Sequence, residues 1–288
     1  MAAETDTVLG ADTAVQSILE ALPYIARYVG ATLVIKLGGS VGDEGTVLDD
    51  LVALASLGIR PILVHGGGAQ ISAWMGRVGL EPRFVDGRRY TDEATLDLVR
   101  MVLIGLVNSE IVARLNARGV RAIGVSGLDG AMLKARLRDE RLGLVGDVYE
   151  VDLALLAALQ QAGYVVVVAP LGTGPGGQAL NVNADTVAGE IARAARAEKL
   201  ILFTDVAGVL GADGKLIPEI TADEIPELME SGIIRGGMIP KIEACVRALQ
   251  GVQRAHIIDG RTPHALIREL FTDTGVGTMI RRSQEAPR

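Results

Sequence analysis

Two glycine-rich turns, each directly after a short apolar run, are the first places where this sequence could do chemistry. Lys36-Leu37-Gly38-Gly39-Ser40 follows the run 32–36, and His65-Gly66-Gly67-Gly68 follows the run 61–65. Glycines at such a turn let the backbone approach a phosphate, and the N–H groups there, with the N-terminus of the next helix, favour an anion. Lys36, at the carboxyl end of its run, adds a compact point charge of a kind that arginine's planar fork does not reproduce. Lysine is scarce here, supplying only five of the 28 cations, so a retained lysine is a candidate for a specific task. If the two runs are neighbouring strands, both turns flank one crevice, which is where open α/β sheets bind ligands. His65 itself reads as a hydrogen-bonded structural residue rather than a ligand or a base.

Further along, Asn181-Val182-Asn183-Ala184-Asp185 leads into a helical pattern. Alternation puts Asn181 and Asn183 on one face, and amides can recognise carboxylate or amide groups without adding charge. Asp185 has two readings, a helix cap or an acceptor that holds two lysines. Gly236-Gly237-Met238-Ile239-Pro240-Lys241 supplies a second isolated lysine at a helix start. Arg89, within Asp86-Gly87-Arg88-Arg89-Tyr90-Thr91, is a candidate fork for a substrate carboxylate, while Arg88 reads as a solvated neighbour. The common nucleotide motifs do not account for these residues. Gly214-Lys215 is followed by Leu216 and lacks the first glycine of a G-x-x-x-x-G-K-[ST] loop. A formal G-x-G-x-x-G at Gly172, Gly174 and Gly177 contains Pro175, and a polar segment separates it from the next helix. Its third glycine therefore cannot open that helix as dinucleotide binding requires, and the stretch reads as a loop.

The elements that must position these residues follow from the apolar pattern. Runs at 32–36, 61–65, 122–125, 164–169, 199–203 and 255–258 are rich in β-branched residues, hardly alternate, and are bounded by Gly, Asp or Pro. They read as strands covered on both faces. Helical patterns lie between them near 46–57, 68–78, 92–117, 152–162, 184–197, 221–231, 238–250 and 262–270. This alternation predicts an α/β fold with a mostly parallel open sheet. Segment 132–150 reads as a hairpin appended to that sheet, and a boundary between two lobes is expected near residue 196. Residues 1–30 stand apart. Val15, Ile18, Leu22, Ile25 and Val29 form one narrow stripe, Asp12 or Thr13 is a plausible N-cap, and Pro23 should kink the helix. That stripe suits packing on another subunit or docking on its own domain.

Composition bounds the possible functions. The chain has 288 residues, a net charge of −7 and a pI near 5.1, so the basic face of a nucleic-acid or membrane-surface binder is not expected. A single cysteine, Cys245, excludes an intrachain disulfide, and with three histidines it leaves little material for a zinc site. No apolar run has the length of a membrane span and the start has no basic n-region, so a cytoplasmic protein is expected.

Together the motifs resemble the amino acid kinase family, and within it the branch that phosphorylates N-acetyl-L-glutamate. The match runs in order through VIKLGGS, PILVHGGGAQIS, RFVDGRRYTD, MVLIGLVNSEIV, GVSGLDG, LGLVGDV, LNVNADTVAGEIA, LILFTDVAGVL and SGIIRGGMIPKIEAC. The resemblance implies a three-layer α/β/α sandwich with an oligomerisation helix (1–30), an amino-acid-binding lobe (31–196) and an ATP-binding lobe (197–288). It implies transfer of the γ-phosphoryl group of ATP, with Mg²⁺, to a side-chain carboxylate, early in arginine biosynthesis. By the same resemblance Lys36 and Lys241 stabilise the moving phosphoryl group and Asp185 organises both. Gly67, Gly68, Arg89 and Asn181 bind the substrate, and Gly38, Gly39, Thr204, Asp205 and Val206 lie near ATP. No protein-held metal is implied. Through Glu20-Ala21-Leu22-Pro23-Tyr24 the first helix resembles that of arginine-inhibited members, in which it interlaces dimers into a hexameric ring. The matching inhibitor positions are Tyr24, Lys199, His256, Glu269 and Gly275.

Three departures qualify the match. Leu128, Leu106 and Ser109 stand in segments where the family often has lysine, and Tyr90 replaces the usual valine. Tyr90 and a lysine-free SG-x-DG also occur in a related kinase acting on carrier-bound aminoadipate. Asn183-Ala184-Asp185 and the GGMIPK segment favour the acetylglutamate branch. A non-catalytic sensor on the same fold would not need Lys36, Lys241 and Asp185 together.

Overall fold

Strands with no polar face must be covered on both sides, and the apolar runs achieve this by joining one sheet. The computed structural model describes residues 2–38, 44–272 and 275–283. The chain opens with α1 (Ala2–Tyr28), β1 (Thr32–Leu37), α2 (Glu44–Ser56), β2 (Arg60–His65) and α3 (Gly68–Arg77). A short hairpin, β3 (Phe84–Val85) and β4 (Arg88–Arg89), precedes α4 (Glu93–Arg100), a π-helical segment (Met101–Asn108) and α5 (Ser109–Ala117). Then follow β5 (Ala122–Ser126), β6 (Leu133–Leu137), β7 (Val145–Val151), α6 (Ala154–Gln161), β8 (Val165–Ala169), β9 (Leu171–Thr173), β10 (Ala179–Val182) and α7 (Ala184–Ala194). The remainder is β11 (Lys199–Thr204), β12 (Glu219–Thr221), α8 (Ile225–Glu230), α9 (Met238–Ala248), β13 (Arg254–Asp259), α10 (Ala265–Phe271) and β14 (Gly277–Arg281).

The main sheet has the order β12-β14-β13-β11-β1-β2-β8-β5, with every neighbouring pair parallel except β13–β14. The α/β fold with a mostly parallel sheet is therefore as the alternation predicted, and its covering on both faces is the sandwich that the resemblance implied. Alternation within each strand divides the core into two layers. Val34, Ile62, Val64, Val166 and Val168 pack with α6, α7 and α9 on one face. Leu33, Ile35, Leu63, Val165 and Val167 pack with α2, α5 and α10 on the other. Each fully buried aliphatic side chain contributes about 1.5–3 kcal/mol relative to exposure. Strands from before residue 196 form the β1–β5 end of the sheet, and β11–β14 form the other end. Hydrogen bonding between β1 and β11 joins the two, with Lys36 opposite Leu202.

Four local expectations are corrected. The hairpin at 132–150 does not extend the main sheet. Its strands β6 and β7 close a separate four-stranded barrel with β9 and β10, where Leu133, Ala135, Val148, Leu180 and Val182 are buried. The glycine-rich stretch read as a loop accordingly forms β9, a 3₁₀ turn at Pro175–Gly177, and the start of β10. Neither Asp12 nor Thr13 caps the first helix, which starts at Ala2 and continues through Pro23. Helix 92–117 is three segments, because a π-helical turn intervenes between α4 and α5.

Candidate active site

Lys36 lies two residues beyond Val34, so strand alternation aims it at the face covered by α7. Asp185 sits in the first turn of that helix. Asn183 is the true N-cap, its side chain accepting from the N–H groups of Asp185 and Thr186 at 2.9 and 3.1 Å. Because Asn183 does the capping, the Asp185 carboxylate is free to meet the lysines. Lys36 Nζ is 3.0 Å from Asp185 Oδ1, and Lys241 Nζ, from the first turn of α9, is 3.3 Å from Oδ2. All three side chains are largely buried. Burial pushes the Asp185 carboxyl up, but the two ammonium groups outweigh it and hold it below the usual carboxylate range. Burial also pulls Lys36 down, opposed by Asp185 and reinforced by Lys241. Two ammonium groups against one carboxylate leave the cluster with a positive surplus.

The cluster opens on a cavity of about 250 Å³ that is lined by Lys36, Gly67, Gly68, Arg89, Asn181 and Asp185, among others. Gly68 opens α3, whose N-terminus borders the cavity and has no side-chain cap, an arrangement that favours an anion there. Arg89 is buried, donating from Nη2 to Gly68 O at 2.9 Å and to Ser72 Oγ at 2.8 Å. Among the described residues it has no carboxylate partner, which leaves a buried cation to be neutralised by what binds. Asn181 donates to Thr91 Oγ1 at 3.0 Å, which fixes its amide at the wall.

The hairpin that carries Arg89 turns through Asp86 (φ 49°) and Gly87 (φ 74°), the two left-handed positions of a tight hairpin turn. Arg88 is not a solvated neighbour, as its side chain is only 21% exposed and Nη2 lies 3.3 Å from Glu243 Oε2 on α9. Sequence reasoning missed this because the partner is 155 residues away. It also missed Asn108, at the end of the π-helical segment, which donates to His65 Nε2 at 3.1 Å and to Val167 O at 3.1 Å. His65 Nδ1 donates to Gly66 O at 2.8 Å, so the ring is satisfied as a neutral structural group, as its sequence reading had it. Burial pushes it down to about 4. Because His65 pairs with Leu37 while Lys36 pairs with Val64, alternation points the ring away from Lys36, to the opposite face of the sheet.

The residues expected near a nucleotide lie across β1 from the cavity. Gly38 is buried directly after β1, Thr204 ends β11, and exposed Asp205 follows, with Thr204 Oγ1 donating to its Oδ1 at 3.3 Å. Gly39 falls outside the described residues. Val206 lines a second cavity of about 540 Å³ that extends over Gly208–Gly211 to Met238, the first residue of α9.

A separate cluster, buried at Lys199, His256 and Glu269 and edged by exposed Gly275, gathers four of the positions matched to an inhibitor. His256 Nδ1 is 2.6 Å from Glu269 Oε1, Lys199 Nζ is 3.7 Å from the same oxygen, and a Cβ on Gly275 would lie 3.3 Å from Oε2. Tyr28, one helical turn beyond Tyr24, lies over Lys199 with its ring centroid 5.7 Å from Nζ. Burial raises Glu269, but His256 and Lys199 bring it below its ordinary value.

Residues 31–259 match the model of the amino acid kinase family. The chain belongs to that family. Acetylglutamate kinase of Nostoc punctiforme is 50% identical over 281 residues, covering 94% of either chain. Among solved structures, N-acetylglutamate synthase of Neisseria gonorrhoeae complexed with coenzyme A and N-acetyl-glutamate superposes with a TM-score of 0.83 at 31% identity. That match covers 94% of this chain and 64% of the synthase chain. The same synthase complexed with coenzyme A and L-arginine gives a TM-score of 0.79 at 29% identity, covering 93% of this chain and 65% of the synthase chain.

Proposed function

We propose that this chain is an acetylglutamate kinase, transferring the γ-phosphoryl group of ATP to the side-chain carboxylate of N-acetyl-L-glutamate. The observation that carries this reading is the buried Lys36–Asp185–Lys241 cluster at the mouth of a cavity whose other wall holds Arg89, a buried cation with no carboxylate partner among the described residues. The curated relatives of that name, aligned over nearly the full length, support it. Arg89, Asn181 and the N–H groups at Gly67 and Gly68 hold the substrate's carboxylate and amide groups. Gly38, Gly39, Thr204, Asp205 and Val206 border the nucleotide, which enters with Mg²⁺ on its phosphate oxygens. In this reading 31–196 is the amino-acid lobe and 197–288 the ATP lobe.

The chemistry needs no general base, because a glutamate side chain with a pKa of about 4.3 is already ionised at neutral pH. A carboxylate oxygen forms a bond to the γ-phosphorus as the bond from phosphorus to the bridging oxygen of ADP breaks, and the product is an acyl phosphate. Charge accumulates on the equatorial oxygens, where preplaced cations are most effective. Lys36 and Lys241 supply that charge, and Asp185 keeps both ammonium groups aimed at one point.

Arginine is the feedback inhibitor in this reading, bound at Tyr24, Lys199, His256, Glu269 and Gly275 with Glu269 facing its cationic end. Support comes from the buried cluster around Glu269 and from the related synthase solved with L-arginine. α1 joins copies of the chain into a homo-oligomer, a hexamer built from three dimers, in a cytoplasmic enzyme. The test is to supply Mg²⁺-ATP and N-acetylglutamate and to trap the acyl phosphate with hydroxylamine, with and without arginine. Hydroxamate that arginine suppresses is expected. No hydroxamate would overturn the kinase reading, and hydroxamate indifferent to millimolar arginine would remove the inhibitor site.

A further inference from the structure

The hairpin β3–β4 has two residues in each strand, too few to hold a position on its own. What it leans on therefore decides where Arg89 stands. Neighbouring residues of a strand point to opposite sides, and the Arg88-Arg89 pair uses both. Arg89 reaches α3 through Gly68 O and Ser72 Oγ, while Arg88 reaches α9 through Glu243. Glu243 is two residues from Lys241 on the same helix. It also draws Arg138, whose Nη2 lies 4.0 Å away, and Arg138 in turn meets Asp147 of the barrel at 3.2 Å. Arg247 of α9 joins Asp147 at 3.3 Å and Glu190 of α7 at 3.1 Å. The helix bearing Lys241 is thus tied by charge to the barrel and to the hairpin. Arg88 Nε is buried and has no hydrogen-bond partner among the described residues, so Glu243 is the guanidinium's anchor.

We propose that the Arg88–Glu243 pair is a strap that sets the distance between the substrate held at Arg89 and the phosphoryl group held at Lys241. The inference rests on the site reading above. Arg88 also borders the cavity, but its guanidinium is turned to Glu243, so it is a positioning residue, acting through Arg89 and through α9. Phosphoryl transfer needs the attacking oxygen and the phosphorus about 3–3.5 Å apart and aligned, so slack between hairpin and α9 lowers kcat as well as substrate binding. The second cavity has no lining residue from the hairpin and touches α9 only at Met238, so KM for ATP should change less than KM for N-acetylglutamate.

The decisive experiment is a double-mutant cycle with Arg88→Gln, Glu243→Gln and the double variant, assayed with N-acetylglutamate and Mg²⁺-ATP. Because the pair is partly exposed, each single change should lower kcat/KM for N-acetylglutamate by about two- to fivefold. The double variant should be no worse than either single one, KM for ATP should change less than KM for N-acetylglutamate, and Arg88→Lys should recover most of the loss. Loss of melting temperature with unchanged kinetics would make the pair merely structural and overturn the strap. Independent, multiplying effects would do the same, as would an effect of Arg88→Gln that Glu243→Gln does not share. Arg89→Ala separates the two levels of the argument. If it leaves KM for N-acetylglutamate unchanged, the site reading fails and the strap with it. If it raises KM while the cycle is additive, only the strap fails.

Discussion

At the scale of single residues, the site is a problem of burying charge without cancelling it. Asp185 holds two ammonium groups close together that would otherwise repel, yet it leaves one positive charge uncompensated at the cavity. Lys36→Ala should therefore lower kcat by about 10²–10³ with small changes in KM, since the charge it meets develops in the transition state. Steady-state kinetics on both substrates check this, and unchanged turnover would take Lys36 out of the mechanism. His65 makes a different prediction. Burial pushes its pKa from 6.5 down to about 4, so the unfolded chain binds a proton that the folded chain refuses. Its contribution is complete above pH 6.5 and is lost as the pH falls towards 4, a change of about 3 kcal/mol. Urea unfolding of wild type and His65→Gln across that range should show the gap between them narrowing on acidification. A gap independent of pH would mean that the ring titrates normally.

At the scale of elements, helix contact decides whether the lysines meet. Asp185 and Lys241 lie in the first turns of α7 and α9, and these helices are in tight contact at Gly189, where a Cβ would stand 2.6 Å from Ala244 O. Backbone cannot retreat as a flexible side chain can, so Gly189→Ala should force the helices apart at a cost of about 1–3 kcal/mol. Both the melting temperature and kcat should fall, because the spacing of Lys241 from Asp185 changes with the helix separation. A variant with wild-type melting and turnover would show that this contact does not set the site.

At the scale of the whole molecule, α1 is only partly spoken for by its own chain. Its last turn docks through Tyr28, which is buried and meets Phe271 edge-on with centroids 6.2 Å apart. Val15, Ile18 and Leu22 of its apolar stripe are 55, 60 and 47% exposed. A stripe left uncovered by its own fold is suited to a second copy of the chain. Removing residues 2–22 should reduce the mass measured by light scattering and abolish suppression by arginine. The kcat without arginine should stay near wild type, because the truncation touches none of the Lys36, Asp185 and Lys241 contacts. Unchanged mass would remove α1 from the assembly.

The sequence by itself determined the layered α/β sheet, because a β-branched run with no polar side is stable only when covered twice, and that property is local. It also determined the chemistry on offer: rare lysines behind glycine turns, and Arg89 beside a hairpin turn. Strand alternation and the register of β1 on β2 together put Lys36 and His65 on opposite faces. What only the tertiary structure decided depends on partners distant in the chain. Whether Asp185 was a cap or an acceptor was settled by Asn183 taking the capping role and by two lysines arriving from β1 and α9. The barrel of β6, β7, β9 and β10 was hidden because short glycine-bearing strands carry little hydrophobic pattern and owe their existence to pairing. Arg88 looked solvated for the same reason, since a charge is solvated or paired according to what folds against it.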